Sequence, residues 1–303
     1  MTVPVMLFVA FFAFGLLNLT PGDPAALLAG EDATTQAIAR IRATLGLDQP
    51  FLVRFAKWIW HVMHGDLGTS MFTGLHVSDM IAQRLAPTFT LMVMTLIISV
   101  ALAVPMGAFA AWRHNRWQDH GIMAFAVLIF SVPSFVVGYI LAWIFGLELR
   151  WFPVQGYAPF SSGILASLYS LMLPALALGS VYVALITRIT RATLLETLSQ
   201  DYIRTARAKG VNDRSLLFGH ALKNAAVPIV TVIGAGVALL ISGTVVTETV
   251  FSIPGLGRLI VDAILRRDYP VIQGTILLFS VMYVFVNLLV DLLYRLFDPR
   301  IKY

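Results

Sequence analysis

Few side chains in this sequence are spaced for chemistry. His61 and His64 stand three apart beside Trp58 and Trp60. That spacing suits a metal pair, but no carboxylate pattern completes a site, so an interfacial amphipathic segment is the expected role. Gly255–Gly257 reads GLG, yet Arg258 follows, and the third glycine and flanking strand of a dinucleotide site are missing; a turn is expected there. No G-x-x-x-x-G-K-S/T run occurs, so the chain should not hydrolyse nucleotides through a P-loop. Cysteine is absent, which removes disulfides and thiolate metal sites. Catalytic residues and metal ligands are therefore both expected to be none.

The remaining polar candidates crowd into one island, Arg188–Val227, which contains DYIRTARAKG at Asp201–Gly210. Seven Lys/Arg and three acids lie between Arg188 and Lys223, so nearly all of the net charge of +5 sits there. Charge this concentrated, without aromatic residues interleaved, does not describe a nucleic-acid surface. On a helical wheel from Arg191, the residues Leu194, Leu195, Leu198, Tyr202 and Ala206 share one side, with Glu196, Arg204 and Arg207 opposite. Gly210 suits a left-handed helix cap. Asn212 or Asp213 can cap a second short helix running to about Asn224, with Leu216, Leu217 and Leu222 as its apolar contacts. A helix–glycine–helix elbow can sit in a partner's groove and pass rigid-body motion onward. The plainer alternative is a basic loop that fixes topology and touches anionic lipid.

The elements that must carry this elbow are apolar. The chain is 58% hydrophobic and 12% charged, against about 45–50% and about 25% in soluble domains. Six runs approach or exceed the about 17 residues a bilayer requires: Val3–Leu19, Thr88–Trp112, His120–Gly146, about Ile164–Thr187, Pro228–Val250 and Val271–Phe297. They are continuous rather than alternating, so helices are expected. The fold class is all-α, a polytopic membrane protein with six transmembrane helices. Val3–Leu19 lacks the basic start of a signal peptide and is expected to be retained. Residues 20–87 form a long outer loop with two amphipathic helices, one ending near Gly46 and one near Gly65. The tryptophans of the second suggest a helix resting at headgroup level.

Twelve Lys/Arg lie in the segments that are inner if the N-terminus is inside, against four in the short outer loops. Both termini, the island and the tail 298–303 are thus expected in the cytoplasm. Ionisable residues are nearly absent from the spans; Glu248 lies near the outer end of the fifth, and Asp291 near the inner end of the sixth, four residues before Arg295. Intramembrane charges mark ion and proton pathways, so a self-sufficient ion-coupled carrier is disfavoured. A membrane enzyme would need clustered polar residues at one depth, and none are seen. In the fifth span, Gly234, Gly236, Ser242 and Gly243 permit close helix approach, either along a pore or subunit seam or in packing within one bundle.

The segment DYIRTARAKG…HALKNAAVP resembles the cytoplasmic signature loop of permease subunits of bacterial ABC importers. TPGDP at 20–24, LGLDQP at 45–50, GDLGTS at 65–70, LPALALG at 173–179, ETVFSIPGLGRLIVDAI at 248–264, RDYPVIQG at 267–274 and NLLVDLLYRLFDPRIKY at 287–303 resemble the dipeptide/oligopeptide branch, which includes nickel and glutathione importers. The resemblance covers nearly the full length. It implies a type I ABC importer permease (MetI-like) fold, with residues 88–297 as its transmembrane domain, in the bacterial inner membrane. It implies a second, partner permease, two cytoplasmic ATPases that bind ATP and magnesium, and an outer solute-binding protein; this chain would bind no cofactor. Carried onto this sequence, the ATPase-coupling residues would be Asp201, Tyr202, Thr205, Ala206, Arg207, Lys209, Gly210, Asn212, Asp213, Leu216 and His220. The usual Glu-Ala-Ala start of the loop reads Thr205-Ala206-Arg207 here. The family's usual basic start is missing, which puts the true N-terminus upstream or marks a trimmed chain. A peptide is the expected solute, with nickel or glutathione as runner-up.

Overall fold

The computed structural model describes residues 2–19, 25–26, 34–44 and 46–297. The motif at 20–24 and the tail 298–303 lie outside them. Among the described residues the architecture is helical, with one isolated bridge between Thr69 and His76. In chain order the helices are α1 (Thr2–Leu19), α2 (Thr35–Thr44), α3 (Phe51–Met63), α4 (Val77–Trp112), α5 (Trp117–Ser131) and α6 (Ser134–Leu141). They continue with α7 (Ile164–Ser170), α8 (Met172–Leu198), α9 (Asp201–Ala208), α10 (Asp213–Val250), α11 (Leu256–Arg266) and α12 (Tyr269–Phe297). A π-helical segment, Ala142–Glu148, extends α6.

Four helices, α4, α8, α10 and α12, are long and apolar enough to cross a membrane. The third expected span is not one straight helix: α5 and α6 meet at 104°. Pro133 supplies no N–H and biases Val132 away from the helical region, so the helix ends at Ser131 and restarts. Counted as one span, the pair makes five. Val3–Leu19 does fall within a helix, α1, but its described apolar stretch is Pro4–Gly15, shorter than the usual about 17–25 residues. Two span starts also differ from expectation. Pro87 and Pro228 lie inside α4 and α10 rather than opening the runs. α10, with 38 residues, is about 57 Å long, so much of it must stand outside an apolar layer about 30 Å thick.

The chain divides into two compact units. The first comprises Met1–Ala86 and Gly255–Val284. Its core joins Val77 and Ile81 to Leu256, Leu259, Ala263 and Val271. Buried Asp268 accepts from Ser70 Oγ at 2.5 Å and from the Met71 amide at 3.2 Å, which pins the segment before α4. The GLG stretch starts a helix: Gly255 is the extended N-cap residue of α11, and Gly257 lies in its first turn. α2 and α3 stop where expected, at left-handed Gly46 and Gly65. The aromatic face of α3 lies on α1, with Phe14 meeting Phe51 at 5.5 Å and Trp58 at 5.3 Å, while Trp60 is exposed.

The second unit comprises Pro87–Pro254 and Phe285–Tyr303. At its centre is α8, which buries residues on every side from Leu173 to Thr197. Small residues set its approach to neighbours. A Cβ on Gly107 of α4 would lie 2.6 Å from Thr190 and 2.7 Å from the Thr187 carbonyl, closer than any real contact, so a glycine is required at this crossing. The hydroxyl of Thr88 donates to Glu248 at 2.6 Å, and both residues are buried. The side chain of Asp291 lies outside the described residues.

Candidate coupling elbow

The island folds as an elbow on an apolar base. α8 ends at Leu198, and Ser199–Gln200 break the helix before α9. This corrects the expectation of one continuous helix, and it matters for register. The two intervening residues reset the phase, so Ile203 becomes fully buried and Tyr202 is turned outward, 45% exposed. At its other end α9 closes with a Schellman motif. Val211 N–H donates to Ala206 O at 3.2 Å and Gly210 N–H to Arg207 O at 3.0 Å. Gly210 adopts φ +85°, as that motif requires. Val211 and Ala206 then pack into the same cluster.

Asn212 opens the next helix, its side-chain oxygen accepting from Ser215 N–H at 2.8 Å. The expected short second helix is instead the first part of α10, which runs on without a break. Within it Leu216–Ala221 is π-helical. The wider turn places Leu216, Leu217 and Ala221 in the core and leaves Phe218 58% exposed. Below the elbow, Ala108, Ala111, Leu194, Ile203, Leu216, Leu217, Ala225 and Ile229 form one buried cluster.

Of the expected site residues, Leu216 is buried and Ala206 is half-buried, so both hold the elbow in place from below. Asp201, Tyr202, Thr205, Arg207, Lys209, Gly210, Asn212, Asp213 and His220 are each exposed. Arg207 reaches Asp213 at 3.5 Å across the bend, and Arg204 reaches Asp201 at 3.4 Å. The reading of the sequence missed Ile203 and Phe218. Once the helix is broken at Gln200, spacing places Ile203 inward; nothing in a residue pattern announces a π turn, so Phe218 carried no signal.

A buried ion pair backs the elbow. Asp119, at the start of α5, accepts from Arg191 Nε at 2.5 Å and Nη2 at 2.7 Å. It also accepts from the Asn115 amide at 3.1 Å, and His114 Nδ1 lies 3.4 Å away. The arrangement ties the Trp112–Trp117 turn to α8.

The two histidines near Trp60 do not converge: His61 pairs with Asp66 at 3.5 Å, and His64 contacts the Trp60 carbonyl at 2.7 Å. Among the described residues no cluster could hold a metal ion. In the fifth span, Gly234 faces Val290, Gly236 faces the Tyr182 ring and Gly243 faces Leu178. These three allow close packing within this chain. Ser242 is exposed in this chain.

Such a fold defines a class: an α-helical membrane protein of several spans with an elbow standing on their ends. Residues 103–303 match a family described as binding-protein-dependent transport system inner membrane component, and residues 1–93 match the N-terminal part of such components. A probable peptide ABC transporter permease of Sinorhizobium fredii is 51% identical, covering 100% of this chain and 96% of the relative. A putative peptide transport system permease of Brucella abortus is 46% identical over 99% and 96%. The glutathione transport system permease GsiC of Salmonella paratyphi A is 43% identical over the same shares. A chain from inward-facing structures of the MetNI methionine ABC transporter aligns with TM-score 0.61 at 14% identity, covering 72% of this chain and 96% of that one, and so shares the fold. The chain belongs to the family of inner membrane components of binding-protein-dependent transport systems. These are transport permeases, multi-pass and of the ABC type, rather than catalysts.

Proposed function

We propose that this chain forms half of the translocation path of an ATP-driven importer for peptides, and that the elbow is where the driving motion enters. The observation that carries this is the division of the elbow into a buried apolar base and an outer face bearing Tyr202 and Phe218 among charges. A loop needed only for topology has no use for exposed aromatic residues on capped helices; a surface that docks into a groove does. Closure of two ATPase subunits would push on α9, and the shared core would pass the displacement to α8 and α10. The chain would span the membrane six times, with α1 as the first span and both termini in the cytoplasm.

A second permease, most simply a paralogue, would complete the path. The face of α10 bearing Thr231, Ala235, Leu239, Ser242, Val246 and Thr249 is exposed in this chain, and it supports this reading. Its hydroxyls donate to backbone carbonyls, Thr231 to Val227 at 2.8 Å and Ser242 to Leu239 at 3.0 Å. By contrast, the exposed side of α5 carries Phe125, Leu128 and Phe130, a surface suited to lipid. The outer solute-binding protein would be received by the first unit, where Phe72, Leu75, Ile264 and Leu265 are exposed.

Peptide is the favoured solute because relatives at 51% and 46% identity carry that name. Glutathione, itself a short peptide, is the second reading, supported by a relative at 43%. Reconstitution in vesicles with the cognate partner permease, ATPases and binding protein tests this. ATP-dependent uptake of labelled peptide that stops without the ATPases is expected. Uptake by this chain alone under an ion gradient would refute it.

A further inference from the structure

Beside the elbow, between the Trp112–Trp117 turn and the ends of α8 and α10, lies a cleft of about 420 Å³. Its lining joins Arg113, Arg116 and Arg207 to half-buried Leu198 and buried Leu216 and Leu217. We infer that this cleft seats the phosphate of an anionic phospholipid from the cytoplasmic leaflet. The side of the membrane rests on the orientation proposed above; the chemistry rests on three observations.

The first is charge. Arg207 is engaged with Asp213, the acid that also lines the cleft, at 3.5 Å, and His114 is turned toward Asp119. Arg113 and Arg116 have no carboxylate partner among the described residues, and Arg113 Nε is buried without a hydrogen bond. A buried guanidinium nitrogen left unpaired is costly unless an acceptor arrives from outside. Depth is the second. Trp112 and Trp117 bracket the two arginines and are exposed, Trp117 by 79%. Exposed tryptophans at the ends of membrane helices sit among lipid headgroups, and the Arg113 guanidinium lies over the Trp112 ring at 4.9 Å. Third, a lining that joins arginines to leucines matches an amphiphile, and basic pockets between membrane helices on the cytoplasmic side bind anionic headgroups. Free phosphate would need the arginines but not the leucines. A lipid seated here touches the first inner turn and α9 together, so the composition of the leaflet would bear on how firmly the elbow is held.

The test uses the assembled importer purified in detergent, with phosphatidylglycerol and phosphatidylcholine as probes in native mass spectrometry. Preferential retention of phosphatidylglycerol is expected, falling about tenfold or more in the Arg113→Ala, Arg116→Ala double variant. Arg116→Glu alone changes an exposed side chain without touching the core, so it should fold normally and still lose retention; Arg113→Lys should keep it. Inorganic phosphate in excess should not displace the lipid. Equal retention of the two lipids, or unchanged retention in Arg116→Glu, would overturn the assignment. Displacement by phosphate would also overturn it, making the cleft a free-anion site. Retention is read without transport, so a failure of the elbow to couple would leave this result standing.

Discussion

Gly210 separates two roles that a residue in a bend can have. A Cβ there would meet nothing within 4 Å, so a substitution acts on the backbone alone, through φ +85°. A non-glycine residue at that angle costs about 1–2 kcal/mol, more if β-branched. Gly210→Val should therefore leave insertion intact while uptake and coupled ATP hydrolysis are lost; Gly210→Asn, which tolerates left-handed geometry, should retain most uptake. Asp119 is the contrasting case. It is fully buried and meets Arg191 with both oxygens. Asp119→Ala leaves the guanidinium without its charge partner, a loss of about 3 kcal/mol, to be read as a lowered Tm of the detergent-solubilised protein. Asp119 was not singled out from the sequence, since nothing local in the chain shows that Arg191, 72 positions on, returns to it.

Among the elements, the elbow's two faces predict two phenotypes. Leu216→Ala removes a buried side chain and should destabilise by about 3 kcal/mol, visible as reduced yield of folded protein. Tyr202→Ala with Phe218→Ala touches only exposed side chains. It should leave Tm within error of wild type and reduce peptide-stimulated ATP hydrolysis by the complex at least about tenfold. Equal loss of stability in both variants would mean that the outer face is packing, not docking. This level of structure was largely legible from residue types. Capping by Asn212, the glycine bend at Gly210 and the apolar runs follow from local chemistry that a single sequence displays. The break at Ser199–Gln200, the 104° bend at Pro133 and the π turn at Leu216–Ala221 were not read. Nothing in the residue types around Ser199–Gln200 or Leu216–Ala221 announces either feature. Pro133 stood in the sequence as a warning, yet Pro87 and Pro228 pass inside helices, so proline alone did not say which spans would break.

For the whole molecule, the proposed direction of force runs from the elbow into the spans of a transport permease. The absence of cysteine allows single reporters to be placed without background. With the proposed orientation, a membrane-impermeant thiol reagent outside cells should label Thr35→Cys and miss Asn212→Cys, both at exposed positions; the opposite pattern would invert the topology. The claim on which the rest depends is that the outer face of the elbow meets an ATPase. Phe218→Cys in the assembled importer, crosslinked by a short bifunctional thiol reagent to single cysteines on the ATPase surface, measures it directly. A covalent permease–ATPase product is expected, its yield changing when ATP is added, with no such product from Thr35→Cys. A Phe218→Cys complex that transports normally yet forms no product with any ATPase cysteine would contradict it.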